Sequence, residues 1–187
     1  MYLFGFGSLI NLNSAQKSFE RELSYDDLIP VTIKGFKKVW NSIEHIQFDG
    51  VDVNGVFLNL QKDETTQTSG VVVKVTPQEF EILKLREKNY SQVTIKACDV
   101  IGAELDEDVV AFMTTNEEKI AKIGNENCFI PAKYIDILTN AFENYDTSFV
   151  EQFKKECLED LPFELKQGTY SFSDPMQQKL AKEGIKK

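Results

Sequence analysis

Leu3-Phe4-Gly5-Phe6-Gly7-Ser8-Leu9-Ile10 is an apolar strand that breaks into a glycine-spaced turn ending on a serine. The run from Tyr2 to Phe4 reads as a buried strand. Two glycines at alternate positions let the main chain turn sharply and approach a ligand with no Cβ in the way. The exposed amides of such a turn make a receptor for an anion or an oxyanion. A tight strand-to-helix turn needs the same glycines for steric reasons alone, so the stretch by itself leaves both readings open.

A second stretch, far along the chain, bears on that choice. Leu83-Lys84-Leu85-Arg86-Glu87-Lys88-Asn89-Tyr90 lies where an amphipathic helix gives way to a strand. Thr76-Pro77-Gln78-Glu79 marks the helix start, combining a capping-box threonine and glutamate with proline at the first helical position. Phe80, Leu83 and Leu85 supply an approximate apolar face. Over residues 91–100 Val93 and Ile95 alternate with Thr94 and Lys96, which predicts a strand. Glu87 therefore falls at an element junction, a place suited to a carboxylate that moves protons in a cleft. Taken alone, a glutamate within Arg-Glu-Lys is ordinarily a solvated surface charge.

Together the two stretches resemble the γ-glutamylcyclotransferase superfamily, in which a Tyr-Gly-Ser turn follows the first strand and a glutamate in a Leu-x-x-Arg/Gln-Glu context is the catalytic acid/base. Here the turn is Phe6-Gly7-Ser8-Leu9, with Phe6 in place of the family tyrosine, and the glutamate is Glu87. Residues 31–41 are similar to the family's second-strand segment, and residues 70–75 to the Gly-Val strand before the glutamate's helix. Ala111-Phe112-Met113-Thr114 and Ile130-Pro131-Ala132-Lys133-Tyr134 resemble its late strand and the start of the next helix, and Phe112 again stands where relatives often carry tyrosine. The resemblance spans residues 2–146 in family order, and it is the ordered combination that is specific.

The resemblance implies an α+β fold, a small twisted barrel with a mixed or mainly antiparallel sheet and peripheral helices. It implies Glu87 as the catalytic residue and the main-chain amides of Phe6, Gly7, Ser8 and Leu9 as the receptor for a glutamyl group. The substrate would be a small γ-glutamyl amine, amino acid or peptide, releasing 5-oxoproline and a free amine without metal or cofactor. Tyr90, Tyr134 and Arg86 are the polar side chains placed to replace the two missing hydroxyls. Tyr90 is equally a packing residue of a half-buried strand, and Arg86 reads first as a structural or solvent-facing charge. Two other readings of the scaffold stand beside this one: deprotection or hydrolysis of a γ-glutamyl compound, and a non-catalytic module that binds small molecules or proteins.

A chain of 187 residues with 42% hydrophobic and 11% aromatic content suits one domain with a substantial core. The net charge of −9 argues against nucleic acid or an anionic membrane surface as partner, since both need clustered cations. Lys37-Lys38, Lys154-Lys155 and Lys186-Lys187 are pairs rather than patches. No signal-peptide pattern or membrane-spanning apolar run stands out, and a cytoplasmic location is expected. Cys98, Cys128 and Cys157 are widely spaced and odd in number, outlining neither a disulfide framework nor a metal site, and are expected as reduced core residues. His45, the one histidine, leaves little basis for a Cys-His nucleophile or for zinc.

The pattern along the chain predicts a strand over 2–6, a helix over 14–21 capped through Asn13 and Gln16, and strands over 31–40 and 56–60 with turns at Asp49-Gly50 and Asn54-Gly55. A polar loop over 61–68 and strands over 70–75 and 109–113 are expected, then helices after Pro131 and over 148–158. Residues 1–146 are read as the catalytic domain and 147–187 as a helical extension packed on it or trailing from it. The last part, from Pro162, ends in a short basic helix over 176–185. Its ordinary reading is a surface appendage or disordered end; its sharper readings are a flap or a homodimer contact.

Overall fold

The computed structural model describes residues 1–184, the Arg86 side chain apart. The opening apolar run forms β1 (Tyr2–Gly5), buried throughout. Helix α1 (Leu12–Gln16) follows and is shorter than the pattern predicts. Its cap is Asn11, which accepts from the Ser14 amide at 3.2 Å, not Asn13 and Gln16. Gln16 instead bridges the chain beyond the helix, donating to the Phe19 and Arg21 carbonyls and accepting from the Leu23 amide.

One long hairpin dominates the sheet, β2 (Ile29–Phe48) and β3 (Val51–Lys74). Asp49 and Gly50 join them at φ of 49° and 82°, the two-residue turn whose twist matches the strands it links. Asn54-Gly55, expected as a turn, lies inside β3. Gly55 is required there because a Cβ would meet Ile46 and Phe57 at 2.6 and 2.8 Å. The expected polar loop over 61–68 is also strand, interrupted where pairing jumps from Lys34↔Gln67 to Phe36↔Lys62. Four residues of β3 bulge opposite Gly35, whose φ of 82° absorbs the bend. Asp63 holds the bulge by accepting from the Thr65 amide and hydroxyl.

Helix α2 (Pro77–Arg86) starts at the reciprocal Thr76–Glu79 capping box. Phe80 and Leu83 are buried, whereas Leu85 is exposed, because two residues on from Leu83 is the opposite helix face. Next come β4 (Ser91–Ile95) and β5 (Val100–Ile101), separated by a 3-10 turn where one strand was expected. Asp108 bends the chain there, accepting from the Ala97 amide at 3.0 Å and the Lys96 ammonium at 2.8 Å. The remaining elements are β6 (Val109–Met113), β7 (Cys128–Pro131), α3 (Ala132–Thr139), α4 (Thr147–Cys157), β8 (Glu164–Lys166), β9 (Tyr170–Phe172) and α5 (Pro175–Glu183).

The strand order is β4-β6-β1-β3-β2-β5, with β7, β8 and β9 paired off that path. Pairing is mainly antiparallel, with parallel contacts at β1–β6, β3–β7 and β7–β8. Laid flat, the ends of this path would be about 24 Å apart at ordinary strand spacing. Yet β4 and β5, at those two ends, are joined by residues 96–99, a link that spans at most about 17 Å. The sheet therefore curls into a half-barrel. Tyr2, Phe4, Ile33, Leu60, Val72 and Val109 fill its interior, while Leu3, Val71 and Val73 face the larger core beneath the helices.

Candidate functional site

A cavity of about 460 Å³ opens where β1 turns toward α1, within the usual range for small-molecule sites. Phe6, Gly7, Ser8 and Leu9 line it on one side, and Glu87, Tyr90 and Tyr134 line it as well. The glycine turn has a reason in packing: a Cβ on Gly7 would fall on the Tyr134 hydroxyl, and one on Gly5 would meet Leu9 at 2.5 Å. The Ser8 main chain is hydrogen-bonded to that same hydroxyl.

Glu87 caps the C-terminus of α2. Its amide bonds the Leu83 carbonyl at 2.8 Å, and its own carbonyl accepts from the Tyr90 amide at 2.9 Å. This turn brings the two side chains into one cavity. The Tyr90 hydroxyl donates to Glu44 Oε1 at 2.6 Å. Burial, together with the charges of Glu44 and Glu87, holds the Tyr90 phenol well above its ordinary pKa. Burial likewise raises Tyr134, which packs edge-on against Trp40 and Phe57. Both phenols are therefore protonated at neutral pH and serve as hydrogen-bonding groups, not as bases. The Arg86 side chain lies outside the described residues. Phe112 lines the cavity and stacks on Phe80 at 6.3 Å.

Several lining residues belong to no motif singled out in the sequence. Glu44 is a second carboxylate of the cavity, buried to 5% exposure on β2. Strand alternation could have found it, since Trp40, Ser42, Glu44 and Ile46 recur at every second position and all are buried. Ser42 also lines the cavity and shares a 2.5 Å hydrogen bond with Thr114.

The C-terminal segment is part of the same site. Strand β9 pairs with the edge of β2 at Ile46–Phe48, placing Tyr170 and Phe172 against Phe57 with both ring centroids at 5.9 Å. Burial pushes the Tyr170 phenol up to about 12. Helix α5, capped by Asp174, brings Gln177, Gln178 and Lys182 to the cavity. Lys17 fastens it by donating to the Ala181 carbonyl at 2.7 Å. Residues read in the sequence as an appendage, a flap or a dimer contact thus form a wall of the cavity.

The cysteines and histidine lie elsewhere. Cys128 and Cys157 are buried, and burial raises the first thiol and pushes the second up to about 12. Cys98 is exposed, contrary to its expected core position. His45 is also exposed, its Nδ1 3.0 Å from Asn54 Oδ1.

No protein-family model matches the chain, and neither does any curated protein. Solved structures do match. YkqA from Bacillus subtilis superposes at TM-score 0.58 with 19% identity over 87% of this chain and 55% of its own, so the chain spans about half of YkqA. A structure described as a gamma-glutamyl cyclotransferase superposes at 0.56 with 14% identity over 98% of this chain and 99% of its own. An uncharacterized protein from Homo sapiens, loc79017, superposes at 0.55 with 15% identity over 88% and 92%. Identities this low show the fold alone: the chain shares the α+β half-barrel fold of these structures, one of them described as a gamma-glutamyl cyclotransferase.

Proposed function

We propose that the protein is a γ-glutamyl cyclotransferase that converts a γ-glutamyl amine, amino acid or short peptide into 5-oxoproline and a free amine, with Glu87 as the acid/base. One observation carries this reading: Glu87 and the Phe6–Leu9 turn, far apart in sequence, line a single cavity. The substrate holds its own nucleophile, so bending it over the turn makes attack intramolecular. At neutral pH the α-amine is protonated and cannot attack. Glu87 takes one of its protons, the nitrogen bonds to the γ-carbon, and that proton passes to the leaving nitrogen as the amide C–N bond breaks. The second proton on the ring nitrogen then returns to the freed Glu87 carboxylate and goes on to the released amine, which departs as ammonium. Negative charge gathering on the γ-oxygen would meet the neutral Tyr134 hydroxyl, whose oxygen the Ser8 main chain already engages, and the other amides of the turn, donors fixed before reaction.

The test is 5-oxoproline release across a panel of γ-glutamyl amines, amino acids and peptides. The wild type is expected to release it from at least one member, and Glu87→Gln, with its melting temperature retained, from none. Free glutamate as the product would identify hydrolysis instead, and binding without turnover a non-catalytic module. The step balances without a metal, so exhaustive chelation is expected to leave the rate unchanged. Loss of rate on chelation, restored by a divalent cation, would overturn the mechanism as written.

A further inference from the structure

Glu44 is the second carboxylate of the cavity, and its oxygens are divided between two partners. Oε1 accepts the Tyr90 hydroxyl at 2.6 Å, and Oε2 faces the Lys119 ammonium at 3.5 Å. A carboxylate at 5% exposure is held against a desolvation penalty, which asks what it does there. A phenol has one proton to give and lone pairs to accept with. Because the Tyr90 proton goes to Glu44, the phenol offers its acceptor side to the cavity.

The ionisable groups acting on Tyr90 are Glu44 from β2, Glu87 from the end of α2 and Tyr134 from α3. Beyond Glu44 stands Lys119, with Asp174 of the C-terminal segment acting on it and on Lys88. We propose that Glu44 is a positioning residue: by holding the Tyr90 proton it makes the phenol oxygen an acceptor for the substrate α-amine and keeps Tyr90 from donating to Glu87. This rests on the reading of the cavity as a cyclotransferase site. A donor on a carboxylate stabilises its charged form and lowers its basicity. Were Tyr90 to turn to Glu87, the base would weaken and the amine would lose its guide.

The experiment measures kcat, KM and the pH dependence of 5-oxoproline release for wild type, Glu87→Gln, Glu44→Gln, Tyr90→Phe and the Glu44→Gln/Tyr90→Phe double variant, each checked by thermal melting. Glu44→Gln is expected to lower kcat roughly 10- to 100-fold, the scale of one charge-assisted hydrogen bond, with a smaller change in KM. Its acid limb should move to lower pH. Tyr90→Phe is expected to lose kcat similarly, and the double variant to be no worse than Tyr90→Phe, because Glu44 acts through the phenol.

Wild-type kcat and pH profile in Glu44→Gln would overturn the proposal, as would losses that multiply in the double variant. Should Glu44→Gln fail to fold, Tyr90→Phe decides alone: a lowered kcat supports the proposal and an unchanged one overturns it. An active wild type that depends on Glu87 but not on Glu44 defeats this inference alone. A wild type that releases no 5-oxoproline defeats it together with the functional reading.

Discussion

A Cβ built on Gly7 would fall on the Tyr134 hydroxyl, with the ring carbon behind it 3.7 Å away. Only the oxygen is in the way. Gly7→Ala is therefore expected to destabilise the fold by about 1–3 kcal/mol, as overpacking of a tight site does, and to abolish activity by moving the turn. Adding Tyr134→Phe removes the obstacle and leaves ordinary contact. The double variant is expected to recover most of the lost melting temperature in calorimetry; a double variant no more stable than Gly7→Ala would show that the strain lies elsewhere. The glycine pair was legible in the sequence, but the reason for Gly7 was not, because its neighbour arrives from a helix more than a hundred residues away.

Helix α4 is clasped to the β2–β3 ribbon by Lys38 and Glu156, 2.6 Å apart. The lysine side chain is fully buried, lies 3.9 Å from the Phe153 ring centroid and also donates to Ser69 Oγ. Glu156 collects further hydrogen bonds from Thr68, Ser69 and Gln152. Burial pushes the Glu156 carboxyl up, but the Lys38 charge and these donors outweigh it and hold the pKa below the ordinary 4.5. A lowered carboxylate pKa stabilises the fold fully above 4.5, and that stability is lost as the pH falls through the lower folded value. Melting temperature is therefore expected to be insensitive to this pair near neutrality and to drop in acid. Glu156→Gln strands a buried cation and is expected to cost about 3–5 kcal/mol at pH 7 by denaturant titration. Replacing both partners, Lys38→Met with Glu156→Leu, is expected to cost less and to flatten the acid loss; a double variant as acid-sensitive as wild type would refute the assignment. In the sequence Lys37-Lys38 is one of three lysine pairs; in β2 adjacent side chains take opposite faces, and Lys38 is on the face that α4 covers.

At the scale of the whole molecule, the C-terminal segment closes the site. Strand β9 adds to the edge of β2, and α5 lies across the cavity with none of its own residues buried. Strand β9 is held by strand pairing and by Tyr170 and Phe172 packed on Phe57, whereas the attachment of α5 is polar, Lys17 to the Ala181 carbonyl and Gln178 to the Phe172 amide. An element held this way opens at lower cost than one with a buried apolar face. Deleting residues 169–187 is expected to leave the half-barrel folded by far-UV circular dichroism. The same deletion should raise KM for the best panel substrate at least about tenfold, since several lining side chains depart together. An unchanged KM would mean that the segment only covers the site without shaping it.

Local rules in the chain determined much of this protein. The Thr76–Glu79 capping box, the Asp49-Gly50 turn, the apolar opening strand and the helix-to-strand junction at Glu87 each depend on neighbours a few residues away, and each stands where the sequence predicts. The full length of the β2–β3 ribbon was not legible, because residues 61–68 are polar and are strand only by virtue of the partner across from them. Nor was the role of Glu44, a carboxylate in a strand until the curl of the sheet brings Tyr90 against it. The same curl sets Glu87 and the glycine turn around one cavity and lays the C-terminal segment over it. Such placements depend on contacts between residues distant in the chain, and only the tertiary structure, which buries their shared apolar faces together, decided them.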